Sequence, residues 1–411
     1  MTTNKLILNE GYSTASKYFT KADASNIFIN NKKLVDLSFC AGSLLLGHNS
    51  IVLRSALKEV ISKKISNLAA PNSQANEFSK ILKKILPNGD KFIFCNSGTE
   101  AVIKALRISK SLSKKKLVIA VTGSWHGSVD NLLYTAKKNL KPIPISDGLS
   151  DNNLKNLKFI PYNDIKRSKA IIEKYKKFIN CIIIEPIQGC LPNENSKKYL
   201  TFLRTITKKN KINLIFDEMI TGLRTEGSSV QSYLKIYPDI FIVGKCFGGG
   251  FPMGIIGISK KINKLIIKKK KNIFFGGTFS GNSIATHVGM KTTKYIYENK
   301  KKIFKDLEKK SDYFQNKLNN FFLEKKINAK IYRFKSMMRI VFTKKIITNR
   351  LQRDFLEKKN FKNIQKLRNY LFKRNIYYPG SGIIFFSTAT TKKNVTQLID
   401  SLKIGCVKYL K

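Results

Sequence analysis

Short runs of consecutive apolar residues alternate with helical stretches through the middle of the chain, and this alternation constrains the fold more than any other feature. Strands are predicted for residues 92–95, 117–121, 181–184, 212–216, 240–243 and 255–258. Because several of these runs are apolar on consecutive rather than alternate positions, we expect helices to cover both faces of the sheet. The sequence therefore predicts an α/β fold with a mainly parallel sheet.

The last third of the chain has a different pattern. Residues 285–326 are rich in Lys and helical in periodicity, short strands are predicted at 337–342 and 382–387, and a helix is predicted from there to the C-terminus. We interpret this part as a smaller α+β domain, joined by the first forty-odd residues. The predicted domains are residues 1–48 (an N-terminal segment of the small domain that also forms part of a substrate pocket), 49–290 (the large ligand-binding domain) and 291–411 (the C-terminal small domain).

The chain is strongly basic, with 77 Lys and Arg against 26 Asp and Glu and a formal net charge of +51. Such a charge would normally indicate a nucleic acid or an acidic membrane as partner. Only 11 of the basic residues are Arg, however, and the Lys residues are spread along the whole chain rather than concentrated in a stripe. We therefore expect neither a nucleic acid nor a membrane as the main partner.

Cysteine and histidine usage points away from metal binding. Six Cys without a CxxC pair and three His do not make a ligand set for zinc or iron. The first twenty residues lack an apolar signal core, and no stretch reaches the roughly 18 apolar residues needed to cross a bilayer. We expect a soluble, reduced, cytoplasmic protein without a bound metal.

Five short motifs follow the predicted strands, and together they suit an anionic, planar cofactor. Residues 96–100 (NSGTE) precede a predicted helix at 99–112, so the Ser97 and Thr99 hydroxyls and free backbone N–H groups could hold a phosphate. A plain helix cap is the alternative. Residues 124–127 (SWHG) offer an aromatic face and an imidazole, with a packed Trp125 in a loop as the alternative.

Two acidic residues stand where buried strands end. Glu185 begins EPIQG at 185–189, and Asp217 begins DEMITG at 217–222. A carboxylate in that position is costly without a partner. A protonated pyridine nitrogen would be such a partner for Asp217 and would make the ring an electron sink. A helix cap, or an ion pair between Asp217 and Arg224, is the alternative.

The fifth motif places a Lys on a glycine-rich loop. Lys245 stands in GKCFGGGFPMG, residues 244–254, directly after the predicted strand 240–243. Most Lys residues of this chain are expected on the surface, but apolar residues lead into this one and glycines surround it. We expect an enclosed Lys with the lowered pKa that Schiff-base formation needs.

Together these motifs resemble those of the class III, or omega, aminotransferases, which are pyridoxal phosphate enzymes of fold type I. Within that family the pattern is most similar to that of the glutamate-1-semialdehyde 2,1-aminomutases. The resemblance extends from residues 34–36 (LVD) and 46–48 (LGH) to 277–282 (GTFSGN) and 386–387 (FS). It implies a large domain with a mainly parallel seven-stranded sheet, pyridoxal 5'-phosphate (PLP) as cofactor, and a homodimer with active sites at the interface.

The resemblance also implies roles for individual residues. Lys245 would form the Schiff base and move protons, and Asp217 would pair with the pyridinium nitrogen. The other implied cofactor contacts are Ser97, Gly98 and Thr99 at the phosphate, Trp125 and Met219 on the two ring faces, His126 beside Trp125, Glu185 in the hydrogen-bond network, and Thr278 at the phosphate of the neighbouring subunit.

Around the substrate the sequence departs from the aminomutases. They carry an Arg near the N-terminus for the substrate carboxylate, whereas this chain has no Arg before Arg54, and Lys17 would supply charge without a bidentate fork. Ala41 stands where the aminomutases have a pocket Trp, and residues 138–149 look shorter than their gating loop. These differences favour transfer between two substrates that are released in turn.

The resulting hypothesis is a PLP-dependent aminotransferase that moves an amino group between an amino acid or amine and a carbonyl compound. The alternative is a glutamate-1-semialdehyde 2,1-aminomutase, which forms 5-aminolevulinate for tetrapyrrole synthesis from one substrate that supplies both groups. A more remote alternative is a non-catalytic basic binding protein on the same scaffold.

Overall fold

A computed structural model describes residues 18–410 of the chain. Its strands are β1 Lys21–Asp23, β2 Asn26–Ile29, β3 Lys32–Asp36, β4 Lys91–Cys95, β5 Leu117–Val121, β6 Tyr134–Ala136, β7 Pro142–Pro144, β8 Leu157–Ile160, β9 Ile179–Ile184, β10 Asn213–Asp217, β11 Ile240–Gly244, β12 Gly254–Ile258, β13 Lys330–Phe334, β14 Met337–Val341, β15 Ile376–Tyr377 and β16 Ile383–Phe385. Its helices are α1 Phe39–Gly42, α2 Ile51–Ser62, α3 Ser73–Ile85, α4 Gly98–Ser111, α5 Asn152–Lys155, α6 Ile165–Tyr175, α7 Lys197–Lys209, α8 Val230–Leu234, α9 Lys260–Lys268, α10 Ser283–Glu298, α11 Lys300–Glu324, α12 Arg350–Glu357, α13 Phe361–Lys373 and α14 Lys392–Leu410. Within this described part, no helix combines the length and the apolar character that a membrane span requires.

The centre of the molecule is a seven-stranded sheet with the strand order β4-β12-β11-β10-β9-β5-β8. The pairs from β11 to β8 are all parallel, whereas β12 runs antiparallel to both β11 and β4. Strands β5, β9, β11 and β12 are buried along their whole length. Consecutive apolar residues therefore mark strands covered on both faces, and the predicted α/β fold with a mainly parallel sheet is confirmed.

The six strands predicted for the middle of the chain are all present, with ends that differ by at most two residues. The seventh strand, β8, was not among the predictions because it is short and Lys158 interrupts its apolar run. The long helical stretch at 285–326 divides into α10 and α11 at Asn299, a residue type with low helix propensity.

The N-terminal strands lie beside the C-terminal part of the chain. Strand β3 pairs in parallel with β15, and the two form one sheet with β1 and β2. A separate antiparallel sheet consists of β13, β14 and β16. The predicted domain boundaries remain a prediction, and helix α10 runs through the one placed after residue 290.

One edge of the central sheet gathers the loops that carry the five motifs. Strands β5, β9, β10 and β11 are parallel neighbours. Strand β4 points in the same direction as β11, because β12 lies between the two and runs antiparallel to both. In open α/β sheets, ligands bind beyond the carboxyl ends of the strands. The segments after these five strands therefore meet at the edge where a ligand site is expected.

Candidate active site

A cavity of about 360 Å³ lies at this carboxyl edge, and all five motifs contribute to its wall. Its volume is within the range of small-molecule and cofactor sites. Nine of the ten predicted cofactor contacts line it, namely Ser97, Gly98, Thr99, Trp125, His126, Glu185, Asp217, Met219 and Lys245.

Lys245 follows β11 directly and reaches into the cavity with a left-handed backbone (φ +44°). Its Nζ donates a hydrogen bond of 3.1 Å to the carbonyl oxygen of Ala41. Burial lowers the pKa of the Lys245 amine, although the carboxylates of Glu185 and Asp217 act in the opposite direction. A Lys held in this way is closer to the neutral, nucleophilic amine than a surface Lys is.

Asp217 and His126 form a buried pair on the floor of the cavity. Nδ1 of His126 lies 2.8 Å from Oδ2 of Asp217, and Oδ1 of Asp217 accepts a hydrogen bond of 3.1 Å from the Met219 N–H. The Nε2 atom of His126 is buried without a hydrogen-bond partner among the described residues. The ion pair between Asp217 and Arg224 that was considered as an alternative does not form, because the Arg224 guanidinium donates elsewhere.

Glu185 holds the segment that carries Trp125. Its Oε1 accepts a 2.7 Å hydrogen bond from the Trp125 N–H, and its Oε2 accepts one of 3.0 Å from the Gly189 N–H. Burial, followed by the nearby charge of Asp217, raises the pKa of the Glu185 carboxyl to about 7. The Trp125 side chain is 41% exposed and stands at the cavity wall above this carboxyl.

An anion cradle is formed where α4 begins. Ser97 caps the helix, since its Oγ accepts a 3.1 Å hydrogen bond from the Glu100 N–H, and Oγ1 of Thr99 accepts one of 3.1 Å from the Ser128 N–H. Gly127 has a positive φ of +74°, and a Cβ atom there would lie 2.4 Å from the Thr99 hydroxyl. The helix N-terminus favours a negative group by typically 0.3–1 kcal/mol.

Residues 39–42, which we call the 39–42 turn, cover the cavity with a left-handed backbone. This conformation costs roughly 1–2 kcal/mol for each residue other than glycine, so it has to be held by contacts. The Asp36 carboxylate accepts hydrogen bonds from the N–H groups of Ser38 (2.7 Å) and Phe39 (2.9 Å), and Ser38 Oγ accepts one from the Ala41 N–H (3.1 Å). The φ angles are +45° for Phe39, +53° for Cys40, +52° for Ala41 and +86° for Gly42.

One predicted site residue of the described part of the chain is not beside Lys245. Thr278 is exposed and lines a separate surface cavity together with residues 68–72. That cavity shares no lining residue with the one that contains Lys245. Lys17, predicted to contact the substrate, lies outside the described residues.

The cavity wall also contains residues for which no role was predicted from the sequence. Cys40 and Ser43 flank the predicted substrate position Ala41, whose own contribution is the carbonyl that accepts from Lys245. Asn96 and Phe251 come from two of the quoted motifs. Their spacing relative to Ala41 and to the motifs was visible in the sequence, but only the fold shows which side chains turn inward.

The residues present fit a planar ring that carries a phosphate. The wall combines an unpartnered buried ring nitrogen on His126, a buried acid beside it and the half-buried Lys245 with a helix N-terminus that carries two hydroxyls. The walls come close at Gly98, where a Cβ would lie 3.0 Å from Met219 Cε. Sheet, Lys and cradle together define the fold type I class of PLP enzymes.

Comparison with known proteins places the chain within that class. Residues 10–360 match the family model described as Aminotransferase class-III. The chain therefore belongs to the class III aminotransferase family, which implies PLP or its amino form, PMP, as cofactor.

A relative agrees with this assignment, and two solved structures share the fold. The chain is 31% identical to the glutamate-1-semialdehyde 2,1-aminomutase of Nitrosopumilus maritimus, over 98% of this chain and 96% of the relative. An omega-transaminase from Sphaerobacter thermophilus has the same fold with a TM-score of 0.88 at 21% identity, covering 96% of this chain and 92% of that one. A glutamate-1-semialdehyde-aminomutase from Pseudomonas aeruginosa PAO1 in complex with PMP gives a TM-score of 0.87 at 17% identity, covering 96% and 88%.

Proposed function

We propose that this chain is a PLP-dependent aminotransferase that moves an amino group between an amino acid or amine donor and a carbonyl acceptor, with Lys245 as the Schiff-base residue. The observation that carries the proposal is the placement of Lys245. Its amine is enclosed, its pKa is lowered by burial, and it lies in one cavity with Asp217 and the cradle at α4. The six-strand pattern alone would fit many α/β enzymes. The combination of Lys245, Asp217 and the cradle at α4 in one cavity fits a PLP enzyme in particular.

The cavity residues divide into groups that would hold different parts of the cofactor. Ser97, Gly98 and Thr99 would bind the phosphate at the start of α4, and Trp125 and Met219 would lie against the ring. When bound, PLP supplies an electron sink that stabilises negative charge on the substrate carbon. The remaining catalytic work, which is proton transfer and orientation, falls to the protein.

Asp217 would keep a proton on the ring nitrogen of the cofactor. It ends β10 at the cavity floor, is 4% exposed, and is held by the His126 ring and the Met219 N–H. A carboxylate fixed from two sides in a site with little water interacts more strongly with a cation than it would in solvent. His126 is then a positioning residue for that carboxylate.

Lys245 Nζ would take a proton from the substrate carbon and deliver it to the cofactor. The Ala41 carbonyl accepts a hydrogen bond from this nitrogen and so limits its orientation. Trp125 and Cys40 of the 39–42 turn form part of the wall beside this nitrogen. Positioned proton transfer of this kind typically contributes 10²–10⁴-fold in rate.

The cavity favours two separate substrates over an internal exchange. Among the described residues of its wall, Lys245 is the only cation, so the wall offers no guanidinium for a substrate carboxylate. The second candidate is the aminomutase reaction, which the name of the relative from Nitrosopumilus maritimus favours.

We also propose a homodimer, in which Thr278 would reach the cofactor phosphate of the neighbouring subunit.

The first experiment locates the Schiff base. Purified protein is loaded with PLP, reduced with borohydride and digested, and the labelled peptide is identified by mass spectrometry. We expect the label on Lys245 alone, with Lys261→Ala as a control that keeps full labelling because Lys261 pairs with Asp239 away from the cavity. A label on another Lys, or none, would remove the proposal.

The second experiment separates the two reactions. The enzyme is given glutamate-1-semialdehyde alone, or glutamate with a panel of keto-sugars and aldehydes, while product and cofactor absorbance are recorded together. We expect glutamate to convert the cofactor to its amino form and an acceptor from the panel to reverse this. Fast formation of 5-aminolevulinate without an added donor would instead establish the aminomutase.

A further inference from the structure

Arg224 is a buried cation outside the cavity whose hydrogen bonds all end on uncharged groups. It lies in the loop after β10 and is 2% exposed. Its Nε (3.3 Å) and Nη2 (3.0 Å) donate to the Gly42 carbonyl, and its Nη1 donates to Ser336 Oγ (2.8 Å) and the Phe386 carbonyl (3.1 Å). No carboxylate of the described residues forms an ion pair with it. A buried cation without an anion is costly, so a plain packing role would be served better by an apolar side chain.

The three acceptors belong to three different parts of the chain. Gly42 lies in the 39–42 turn, Ser336 between β13 and β14, and Phe386 just after β16. The Arg224 guanidinium also stacks on the Phe385 ring, with its Cζ atom 4.8 Å from the ring centre. Gly42 fits against the same ring, since a Cβ there would lie 2.6 Å from Phe385. Arg224 thus fixes the turn to the β13-β14-β16 sheet.

The other side of the same turn contacts the catalytic loop. The Ala41 carbonyl accepts the hydrogen bond from Lys245 Nζ (3.1 Å), and the next carbonyl, that of Gly42, accepts one from Cys246 Sγ (3.1 Å). The turn has a left-handed backbone that is unfavourable for its three residues other than glycine. Its shape therefore depends on contacts from outside, and those to Gly42 come from Arg224 and Cys246.

We propose that Arg224 is a positioning residue for Lys245. By holding the Gly42 carbonyl, it keeps the neighbouring Ala41 carbonyl within hydrogen-bond distance of Lys245 Nζ and thereby fixes the place of that nitrogen for proton transfer. The proposal rests on the proposed function only for its effect on the rate. The physical coupling between Arg224 and the turn is a property of the protein alone and is measured separately.

The test compares Arg224→Lys with Arg333→Lys. A Lys at 224 keeps the charge but lacks the planar fork with which Arg224 donates from three separate nitrogens. Arg333 is a control from the same sheet, because its side chain pairs with Glu308 and Asp312 and donates to the Lys335 carbonyl beside Ser336, whereas none of these partners belongs to the 39–42 turn. Hydrogen exchange of a peptide that covers the 39–42 turn is measured with and without PLP, and kcat and KM for glutamate and the PLP dissociation constant are measured for the holoenzymes.

We expect R224K to raise exchange in the turn at least tenfold and to lower kcat at least tenfold, with KM and the PLP dissociation constant changed less than threefold. R333K should leave the exchange of the turn and kcat unchanged. Unaltered exchange and kcat in R224K would overturn the proposal. Exchange raised over the whole protein, together with lost PLP binding, would also overturn it, since that result would mean a general structural role.

A second variant covers the case in which R224K does not fold. Ser336→Ala removes one acceptor of Arg224 and leaves the cation in place, so we expect the same changes at a smaller size. Unchanged exchange of the turn in S336A would then count against the coupling. If the wild type neither binds PLP nor transfers amino groups while R224K still loosens the turn, the proposed function fails and the coupling stands.

Discussion

At the scale of single residues, the two acids of the cavity show how neighbouring positions can differ in chemistry. Glu185 and Asp217 end adjacent parallel strands, β9 and β10, and both are 4% exposed. Asp217 faces the His126 ring at 2.8 Å, whereas Glu185 accepts hydrogen bonds from two backbone N–H groups and faces the charge of Asp217. Asp217 is thus placed to face a cation, while burial and the charge of Asp217 raise the pKa of Glu185 to about 7.

The raised pKa of Glu185 makes the stability of the cofactor-free protein depend on pH. Its folded pKa of about 7 exceeds the ordinary 4.5, so the folded state binds the proton more tightly. This contribution is present in full below pH 4.5 and is lost as the pH rises through 7. We expect the free energy of unfolding of the wild type, taken relative to that of Glu185→Gln, to be about 2 kcal/mol larger at pH 5 than at pH 8.

Urea unfolding at the two pH values measures this difference. Glu324→Gln, at an exposed position on α11, is the control for the loss of one carboxylate. A difference between wild type and E185Q that is the same at both pH values would show that Glu185 is ionised throughout.

At the scale of elements, the loop after β5 and the start of α4 form a single unit. The Ser128 N–H donates to the Thr99 hydroxyl, and Gly127 passes so close to that hydroxyl that no side chain fits. The segment that presents Trp125 and the segment that would hold the phosphate therefore move together. A change in one is expected to appear as a loss in the other.

Gly127→Ala tests this join, and Gly148→Ala is its matched control. Both glycines have positive φ angles, +74° and +81°, so both variants carry a backbone cost of roughly 1–2 kcal/mol. A Cβ at 127 would lie 2.4 Å from Thr99 Oγ1, whereas a Cβ at 148 has nothing within 4 Å. We expect a PLP dissociation constant at least tenfold higher for G127A and unchanged for G148A, by absorbance titration. Equal affinities would show that the cradle tolerates the shift.

Much of the arrangement of elements was predictable, because strands buried on both faces can be recognised in the sequence as runs of consecutive apolar residues. The apolar runs located six strands of the central sheet, and the motifs at their ends fall together at one edge. The 39–42 turn was not predictable, because its left-handed backbone depends on Arg224 and Cys246 from distant segments as well as on the nearby Asp36. Arg224 was considered only as a partner of Asp217, since nothing local indicates an arginine bound to carbonyl groups.

At the scale of the whole molecule, the position of Thr278 bears on whether the active sites are shared between two subunits. In a single chain it lies at a separate surface cavity whose wall includes Leu68, which is 54% exposed. Two apolar side chains close to Thr278 in sequence are also exposed, Phe274 at 75% and Phe279 at 56%. Exposed apolar groups clustered in this way are typical of surfaces that another protein covers. A second copy of the chain, related by a two-fold axis, would cover both patches at once.

Mixed dimers distinguish sites shared between subunits from sites within one chain. If Thr278 serves the neighbouring site, a dimer of one Lys245→Ala chain and one Thr278→Asp chain contains one fully wild-type site, because the T278D chain keeps its Lys245 and receives Thr278 from its partner. We expect such purified heterodimers to have about half of the wild-type activity, while each parent homodimer is inactive, since the aspartate repels the phosphate.

The reciprocal pairing makes the test decisive, because shared sites and sites within one chain predict the opposite activities for it. A dimer of a K245A/T278D double variant with a wild-type chain keeps one intact site only if Thr278 acts within its own chain. With sites shared across the interface, the remaining Lys245 meets the aspartate of its partner, and this heterodimer should be inactive. Activity in the reciprocal pairing and none in the first would place both residues in one chain, and sedimentation of the wild type as a monomer would remove the shared site altogether.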